Sequence, residues 1–411
     1  MNKTILHVDI NSYFATVLQQ ENPLLQNRPL GVTKGRGRTC LIATSKEAKQ
    51  FGISTGMRRS EGVVLCPQLL CIPASFERCL DATKRLQKVF KTIAPSIYIY
   101  SLDEAFIDIS DCRKNLYPDA KKLGKEIQNL IKKELGSWVT CNVGIAENRL
   151  LAKMASEVAP KGAVLEVTEE NKDALLATTE FKDVCGVGYR LAKKLARFHV
   201  QYPYQIRFIP QEELAIVVGP FWAKELLKIA YGKETHLLNQ LDRELPHMKS
   251  VGRSITGYRL HEDDAEITNI LKNLCLEVID KVRNMNLAGR QVWLGLYGRN
   301  EYWDTHETLQ IPINHSSELL LWIQQLYTRW TKKFPVIKFA IRLSLLENQI
   351  QEQLLPQWQK QEVVQKALDD LNRKYGLFTI HPAAIPPKEE LIFPEVTGFL
   401  GDRLYQLRDS D

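Results

Sequence analysis

Three acidic residues stand at points where the chain is predicted to end a strand or to turn. Asp9 follows a short apolar run, Thr4 to Val8, and Asp103 and Glu104 are adjacent at the turn of a predicted hairpin, Ser96 to Ser110. Carboxylates so close together repel unless a proton or a cation lies between them. Oxygen ligands without histidine or thiolate favour Mg²⁺ or Mn²⁺. Two such ions about 3.5–4 Å apart can activate an attacking oxygen and stabilise a leaving oxygen.

The elements around these acids predict how they meet. A helix from Phe76 to Ile93 precedes the hairpin, a helix from Pro118 to Leu135 follows it, and a strand from Val139 to Ile145 ends the pattern. This β-α-β-β-α-β order is typical of the ferredoxin-like split motif. The first and third strands are central in such a sheet, so we expect Asp9 to lie beside Asp103. The simpler alternative is a solvated acidic turn, since turns are rich in Asp for local reasons.

The rest of the chain predicts several further units. The insertion at about 15–75 is long enough for a small domain of its own, and short helices separated by glycine turns follow from about 168. Pro246 to Ser250 is predicted to be a linker, and a second β-α-β-β-α-β pattern follows it, so that the domain with its linker occupies about 246–345. Its predicted elements are Val251–Leu260, Asp264–Met285, Gly289–Tyr297, Thr305–Ile311, Ser316–Trp330 and Val336–Leu345. The tail, 346–411, is expected to be partly mobile, with one helix from Val363 to Tyr375.

Composition restricts the class of protein without naming a function. The 411 residues are 44% hydrophobic and 25% charged, which suits a soluble protein of two to four domains. A net charge of +7 fits a polyanionic partner, although many basic proteins bind none. The eight cysteines are scattered without the close spacing of zinc ligands and are expected to be reduced. Because no secretory signal or membrane span is found, we expect a cytoplasmic protein without membrane association.

Two acidic motifs carry a resemblance to a known family. The segments Asp9 to Ala15 and Ser101 to Phe106 resemble the two acidic motifs of Y-family DNA polymerases, which copy damaged templates with low fidelity. The resemblance covers roughly residues 3–345 and implies an α+β right hand with a ferredoxin-like palm and little finger and a helical thumb. The implied domains are the palm at 1–14 and 76–165, the fingers at 15–75, the thumb at 168–235 and the little finger at 246–345.

The resemblance also implies roles for individual residues around the carboxylates. Asp9, Asp103, Glu104 and the backbone carbonyl of Ile10 would hold two Mg²⁺ ions, with Mn²⁺ as the alternative metal. The reaction would be attack of a primer 3′-hydroxyl on the α-phosphorus of a deoxynucleoside triphosphate. Phe14 takes the position of the steric gate, a ring packed under the deoxyribose that excludes a 2′-hydroxyl. The alternative for Phe14 is an ordinary core position on a helix.

The predicted contacts to the triphosphate depart from the family pattern. The nucleotide-binding set implied by the resemblance is Tyr13, Phe14, Thr44, Lys46, Lys49 and Lys161. Lys46 and Lys49 stand where the family has a Tyr and an Arg, and a lysine lacks the bidentate fork of arginine. The family lysine usually precedes the proline that is Pro160 here, whereas Lys161 follows it. The alternative for these lysines is a solvated basic surface.

Two regions are predicted to hold DNA. Gly186 and Gly188 lead into a helix with Lys193, Lys194 and Arg197 on one face, which resembles a helix-hairpin-helix element that binds phosphate through backbone N–H groups. In the second split domain, Lys338 and Arg342 alternate with Ile337, Phe339, Ile341 and Leu343, which predicts one basic and one packed sheet face. The predicted DNA contacts there are Arg253, Arg259, Lys338 and Arg342, with Arg290 and Arg299 adding to them. The alternative is solubility charge on an exposed sheet.

The expected partners are primer-template DNA and deoxynucleoside triphosphates, and the protein is expected to be a monomer. Gln351 to Pro356 faintly resembles peptides that dock such polymerases on a sliding clamp, although the usual aromatic residue is missing. Two other functions stay open. One is a polymerase-derived DNA-binding accessory factor that has lost catalysis, and the other is a different two-metal nucleotidyl enzyme, such as a cyclase, on the same palm.

Overall fold

The computed structural model describes residues 3–33, 40–111, 116–239, 248–348, 356–376, 379–381 and 383. They form two compact units, one with the described residues up to 239 and one with those from 248 onward. None of the helices in these ranges is long and apolar enough to cross a bilayer.

A five-stranded sheet forms the centre of the first unit. Its strands are β1 (Ile5–Ile10), β5 (Ile97–Ile99), β6 (Glu104–Asp108), β7 (Cys141–Ala146) and β8 (Val164–Glu166). The strand order is β5-β6-β1-β7-β8, and only the β7–β8 pair is parallel. The first and third strands of the predicted motif, β1 and β6, are therefore neighbours, as the sequence predicted. The edge strand β8 extends the sheet beyond the four predicted strands.

Helices cover both faces of this sheet. On one face lie α4 (Phe76–Lys91) and α5 (Ala120–Leu135). Four apolar side chains of α5 recur every fourth residue and are buried on that face: Leu123, Ile127, Ile131 and Leu135. On the other face lies α6 (Arg149–Val158), and a Cβ built on Gly144 of β7 would lie 1.9 Å from the Ala152 carbonyl oxygen. Glycine at 144 thus lets α6 lie directly on the strand.

The insertion between α1 (Tyr13–Glu21) and α4 forms a small sheet of its own. Its elements are β2 (Leu30–Thr33), β3 (Leu41–Thr44), α2 (Lys46–Gln50), α3 (Arg59–Leu65) and β4 (Leu70–Pro73). The strand order is β3-β2-β4. Two small apolar clusters, around Leu30 and Leu41, give this segment its own interior. Phe14 packs against both the first of these clusters and the core of the five-stranded sheet.

Short helices follow β8, as the glycine-rich pattern predicted. They are α7 (Glu169–Thr178), α8 (Tyr189–Leu195), α9 (Gln211–Val218), α10 (Pro220–Ala230) and α11 (His236–Asn239), with 3₁₀ turns between them. Their apolar side chains join Ile5 and Phe106 of the large sheet in one continuous core. This helical segment therefore shares its interior with the α6 face of the sheet.

The second unit contains a four-stranded antiparallel sheet and two helices on one of its faces. The elements are β9 (Ser250–His261), α12 (Asp264–Asn284), β10 (Leu287–Tyr297), β11 (Tyr302–Ile313), α13 (Ser316–Thr328) and β12 (Val336–Asn348). The predicted β-α-β-β-α-β succession is confirmed. The strand order is β11-β10-β12-β9, so the second and fourth strands are central. The expectation of a split-motif strand order, with the first and third strands central, is thus wrong for this sheet.

A further helix, α14 (Pro356–Tyr375), belongs to this second unit and contains the helix predicted at Val363 to Tyr375. Arg283 of α12 forms ion pairs with Glu362 at 2.9 Å and Asp369 at 2.7 Å, which attach α14 to the helical face. Residues 349–355 and 384–411 lie outside the described residues. They include nearly all of the segment considered for clamp binding, so that hypothesis stays a prediction.

Candidate active site

The three predicted carboxylates meet at one edge of the five-stranded sheet. Asp9 of β1 is the direct register partner of Glu104 of β6. The N–H of Ile10 donates to the carbonyl oxygen of Asp103 at 3.0 Å, which closes the sheet at this end. Opposed residues on paired antiparallel strands project to the same face, and like charges in that position are unfavourable. Glu104 begins β6 instead of lying in the turn, because the turn is formed by the residues before it.

A serine links the two acids of the turn. The Ser101 hydroxyl donates to the carboxylate of Asp103 and lies 3.3 Å from Oε1 of Glu104. Burial raises the pKa of Asp103, the Ser101 hydrogen bond lowers it, and the charge of Glu104 raises it again, so that the net pKa is above its usual value. Both carboxylates are thus held near each other, and no cationic side chain in the described part of the chain forms an ion pair with Asp103.

Two buried side chains contact the carboxylate of Glu104. Nε2 of His7 lies 3.1 Å from Oε2 of Glu104, and Nζ of Lys153 contacts the same oxygen. The other imidazole nitrogen of His7 lies 2.6 Å from the Ser156 hydroxyl. Burial alone would raise the pKa of Glu104, but the hydrogen bond from His7 and the charge of Lys153 lower it to about 2. Glu104 is therefore ionised throughout the neutral range.

Among the residues that the structure describes, no side chain forms a hydrogen bond or an ion pair with the Asp9 carboxylate. Burial and then the charges of Glu104 and Asp103 raise its pKa to about 7. When the charges of neighbouring carboxylates raise the pKa of a carboxyl group, a cation that binds between them removes the repulsion. The three carboxylates therefore fit a divalent metal. In the described part of the chain, no three or more His, Cys, Asp or Glu side chains are arranged as a group that could hold a metal ion by themselves. Lys153 forms an ion pair with Glu104. Mg²⁺ normally completes its coordination shell with water and substrate phosphates, so it does not need a full set of protein ligands.

The two aromatic residues at the start of α1 have different environments. Tyr13 is 2% exposed, and its hydroxyl bonds the Cys79 carbonyl and lies 2.8 Å from Oγ1 of Thr83. Its side chain is a core residue, so the predicted nucleotide contact is wrong for that side chain. Phe14 is only partly buried and meets the Tyr13 ring edge-on at 5.6 Å. Phe14 therefore keeps an accessible face next to the carboxylate edge.

Two of the predicted phosphate-binding lysines lie near that edge. Nζ of Lys49 donates to the Ser12 hydroxyl at 3.0 Å, directly before α1. Burial lowers the pKa of Lys49, and the charge of Lys161 lowers it further, while that of Asp9 raises it. Lys49, Lys161 and Asp9 are thus close enough to interact electrostatically. Lys49, which follows the small sheet's strand β3, and Lys161, after Pro160, therefore act on each other electrostatically.

The third lysine, Lys46, has another contact. Its ammonium group lies 4.3 Å from the centroid of the Trp138 ring and 3.8 Å from Glu47. The indole N–H of Trp138 donates to Oε1 of Gln19 at 3.1 Å, so Trp138 is fixed against α1. Lys46 is thereby occupied at the junction of the small sheet and the large one. Thr44 is buried, and its hydroxyl has no hydrogen-bond partner among the residues that the structure describes.

In the second unit, the open face of the sheet combines basic and aromatic side chains. The Arg342 guanidinium lies 4.8 Å from the centroid of the Trp293 ring, and Nζ of Lys338 lies 4.9 Å from that of Tyr297. Each pair consists of direct register partners on β12 and β10. Phe339, Ile341 and Leu343 are buried on the opposite face, as predicted. A register shift after Val336 buries that residue in place of Ile337.

The two arginines predicted on β9 differ from this pattern. Arg253 is 6% exposed and forms an ion pair with the equally buried Glu277 of α12. The prediction that Arg253 contacts DNA is therefore wrong, because its side chain points into the helix-covered face. Arg259 is exposed and pairs with Glu266 at the start of α12.

The glycines predicted in the helix-hairpin-helix element begin a short helix. Gly186 has φ +88°, a conformation that favours glycine, and Gly188 is the residue before α8. Tyr189 at the start of α8 is 80% exposed. Cys185 of the same turn lies 3.2 Å from the Tyr100 hydroxyl, so this turn contacts the hairpin that carries the carboxylates.

Sequence reasoning missed the residues that support Glu104. His7 alternates with Leu6 and Val8 on β1, and this period of two places it on the same face as Asp9. That signal was readable in the sequence. Lys153 is surrounded by apolar residues on α6, and only the close approach at Gly144 reveals that its amine is buried. Trp293 and Tyr297 likewise alternate with apolar residues along β10.

Two family models match this chain. The impB/mucB/samB family matches residues 8–157, and the C-terminal domain of that family matches residues 248–355. DNA polymerase IV of Pelotomaculum thermopropionicum is 27% identical over 393 residues, which cover 92% of this chain and 94% of that protein. DNA polymerase IV 2 of Bacillus subtilis is 28% identical over 406 residues, which cover 93% of this chain and 94% of that protein.

Solved structures share the fold. A Y-family DNA polymerase chimera is 20% identical, covers 84% of this chain and 99% of its own, and has a TM-score of 0.71. The insertion ternary complex of Dbh DNA polymerase covers 83% of this chain and 98% of its own with a TM-score of 0.57, also at 20% identity. The two family models, relatives aligned along nearly the whole chain and the shared fold show that this chain belongs to the Y family of DNA polymerases, the translesion enzymes.

Proposed function

We propose that this Y-family polymerase adds deoxynucleotides to a primer 3′-hydroxyl under the direction of a template, including damaged templates. Asp9, Asp103 and Glu104 would hold two Mg²⁺ ions, or Mn²⁺, with the carbonyl of Ile10 as a further ligand. The observation that supports this most strongly is the register pairing of Asp9 with Glu104, beside Asp103, at one sheet edge. Three carboxylates and two lysines then serve one reaction centre.

The bound divalent ions would supply charge neutralisation for the attacking oxygen and the leaving pyrophosphate. The chain contributes the arrangement of the ligands. His7 and Lys153 keep Glu104 ionised and in one orientation. Ser101 sets the spacing of Asp103 from Glu104. These contacts fix the carboxylates before substrate arrives, which limits the reorganisation needed during reaction.

The triphosphate would lie against Lys49, Lys161 and the N-terminus of α1. A helix N-terminus presents unbonded N–H groups and a partial positive charge, which favour phosphate. The Thr44 hydroxyl, which has no hydrogen-bond partner in the described part of the chain, lies at the end of β3, directly before the short segment that leads to Lys49. Lys46 is engaged by Trp138 and Glu47, so we assign it to the junction of the fingers with the palm and not to phosphate.

Phe14 would act as the steric gate. Its ring is partly exposed at the start of α1, while the neighbouring Tyr13 is in the core. A rigid ring under the sugar rejects a 2′-hydroxyl by overlap, because packed side chains cannot yield without a loss of contacts. This arrangement supports synthesis of DNA in preference to RNA.

The remaining domains would hold the primer-template duplex. We assign the first unit to the palm (1–14 and 76–165), the fingers (15–75) and the thumb (168–235), and the sheet at 246–345 to the little finger. Lys338 and Arg342 would contact DNA phosphates from the open face of the little-finger sheet. Such phosphate contacts do not depend on base sequence. Gly186 and Gly188 would contribute backbone N–H groups from the thumb.

Extension of a recessed primer by one nucleotide at a time tests this function. On four templates that differ in the first unpaired base, each template should be extended most efficiently with its complementary deoxynucleotide, in Mg²⁺ or Mn²⁺. A template with an abasic site at that position should still be extended. DNA binding with no extension in either metal would instead support the accessory factor, which the intact carboxylate edge disfavours.

A further inference from the structure

The turn that carries Lys161 is held by a buried side chain outside the carboxylate and lysine set. The chain leaves α6, turns at residues 159–162 and enters β8. Asn142 of β7 is 1% exposed and lies directly beneath this turn. Its Nδ2 donates to the carbonyls of Ser156 at 2.8 Å and Ala159 at 3.0 Å. Its Oδ1 accepts from the N–H of Gly162 at 2.8 Å.

The same oxygen of Asn142 also connects the turn to the start of α1. Nδ2 of Asn11 lies 3.4 Å from Oδ1 of Asn142, and Asn11 follows Ile10 at the carboxylate edge. Both donors and both acceptor positions of the Asn142 amide are thereby used, which is the full capacity of this side chain. A buried amide satisfied in this way tolerates only one orientation.

The turn itself has a defined geometry. The N–H of Ala163 donates to the carbonyl of Pro160 at 2.9 Å, and Gly162 has φ +79°. These features describe a type II turn with Lys161 at its second position and glycine at the third. Nε2 of Gln128 on α5 donates to the carbonyl of Gly162 at 2.9 Å, so the turn is held from two sides.

Lys161 is exposed at this turn, and its charge acts on Lys49, which bonds Ser12 before α1. Two ammonium groups brought together are unfavourable unless a polyanion lies between them. Asn142 touches neither ammonium group and instead fixes the backbone that directs Lys161.

We propose that Asn142 is a positioning residue that holds the 159–162 turn so that Lys161 and Lys49 together clamp the triphosphate of the incoming nucleotide. This inference rests on the proposed function and adds a residue to it. Lys161 takes part in binding only because its turn is fixed, so loss of Asn142 and loss of Lys161 should have the same consequence.

A double-mutant cycle in single-nucleotide primer extension tests this coupling. Asn142→Ala and Lys161→Ala should each raise KM for the nucleotide about tenfold with little change in kcat, the size of one charge-assisted hydrogen bond. The double variant should be no worse than either single variant, and Lys161→Arg should retain most of the affinity. An Asn142→Ala protein with unchanged KM, or effects that multiply to about a hundredfold, would overturn the inference.

A matched control separates positioning from general weakening of the fold. Asn148→Ala removes another amide that caps α6 and donates to the carbonyl of Gly232 at 2.8 Å, away from the turn. This variant should lose stability and keep its KM. If Asn142→Ala unfolds in a thermal melt, Gln128→Ala replaces it in the cycle. If the wild-type chain extends no primer, the proposed function fails. The affinity of the wild-type, single-variant and double-variant proteins for a radiolabelled deoxynucleoside triphosphate, measured by equilibrium dialysis, then tests the coupling of Asn142 and Lys161.

Discussion

The stacked pairs on the open face of the sheet in the second unit give a prediction about how DNA affinity depends on salt. Arg342 stacks on Trp293 at 4.8 Å, and the two residues are neighbours on adjacent strands. In this account Arg342 neutralises one DNA phosphate, and Trp293 only holds the guanidinium in place. The variants Arg342→Ala and Trp293→Ala should therefore weaken DNA binding in different ways.

The expected magnitudes follow from this division. Each neutralised phosphate contributes about 0.9 to the slope of log K against log salt concentration, so Arg342→Ala should reduce that slope by about 0.9. Trp293→Ala leaves the charge in place, so its slope should not change. An exposed cation–π contact is worth about 0.5–1 kcal/mol, so losing the pre-arranged guanidinium should weaken DNA binding by about two- to fivefold at every salt concentration.

Fluorescence anisotropy with a labelled primer-template at several salt concentrations measures both quantities. Lys332→Ala removes an exposed charge from the loop between α13 and β12, and it should change neither affinity nor slope appreciably. If Trp293→Ala lowers the slope as Arg342→Ala does, Trp293 does more than hold the guanidinium in place. If Arg342→Ala leaves the slope unchanged, Arg342 does not neutralise a DNA phosphate.

Three further predictions concern the gate and buried charges. Phe14→Ala should raise incorporation of ribonucleotides by at least about tenfold while deoxynucleotide incorporation persists, and unchanged exclusion in a primer-extension assay would contradict the gate. Glu277→Gln should lower the free energy of unfolding by about 3 kcal/mol, measured in urea, because it leaves the buried Arg253 unpaired. For this variant, the slope of log K for DNA binding against log salt concentration should stay at the wild-type value. Burial and the charge of Asp369 raise the pKa of Asp280 from 3.8 to about 6. The protonated carboxyl group therefore contributes to folding stability below pH 4, and this contribution is lost as the pH rises through 6. Asp280→Asn should therefore increase the free energy of unfolding by about 2–3 kcal/mol at pH 8 and little at pH 4, and equal effects at both pH values would contradict this assignment.

The carboxylate edge could be predicted from sequence because it depends on strand order alone. An apolar run ending at Asp9 and a hairpin turning before Glu104 become neighbours in any β-α-β-β-α-β sheet whose first and third strands are central. The register Asp9 to Glu104 confirms that reasoning. Helix periodicity likewise placed α4, α5, α12 and α13, because an apolar stripe every three to four residues has few alternatives.

The errors arose where the sequence does not specify which partner a side chain meets. The sequence pattern predicts Arg253 to be an exposed basic residue. Its buried ion-pair partner, Glu277, is 24 residues away on a helix. The central position of β12 in the sheet of the second unit is set by packing between elements, and element order alone does not determine it. The contact of Lys153 with Glu104 depends on how closely α6 approaches β7.

Asp103 and Glu104 are proposed to serve catalysis, in contrast to a solvated turn. The most direct measurement compares primer extension and DNA binding for the wild-type chain and the variant with Asp103→Ala and Glu104→Ala, under the same Mg²⁺ conditions. In the double variant, template-directed extension should be abolished while affinity for primer-template DNA stays within about threefold, because neither carboxylate is placed among the DNA-phosphate contacts. Extension by the double variant at a rate near that of the wild-type chain would show that the two carboxylates are not needed for catalysis.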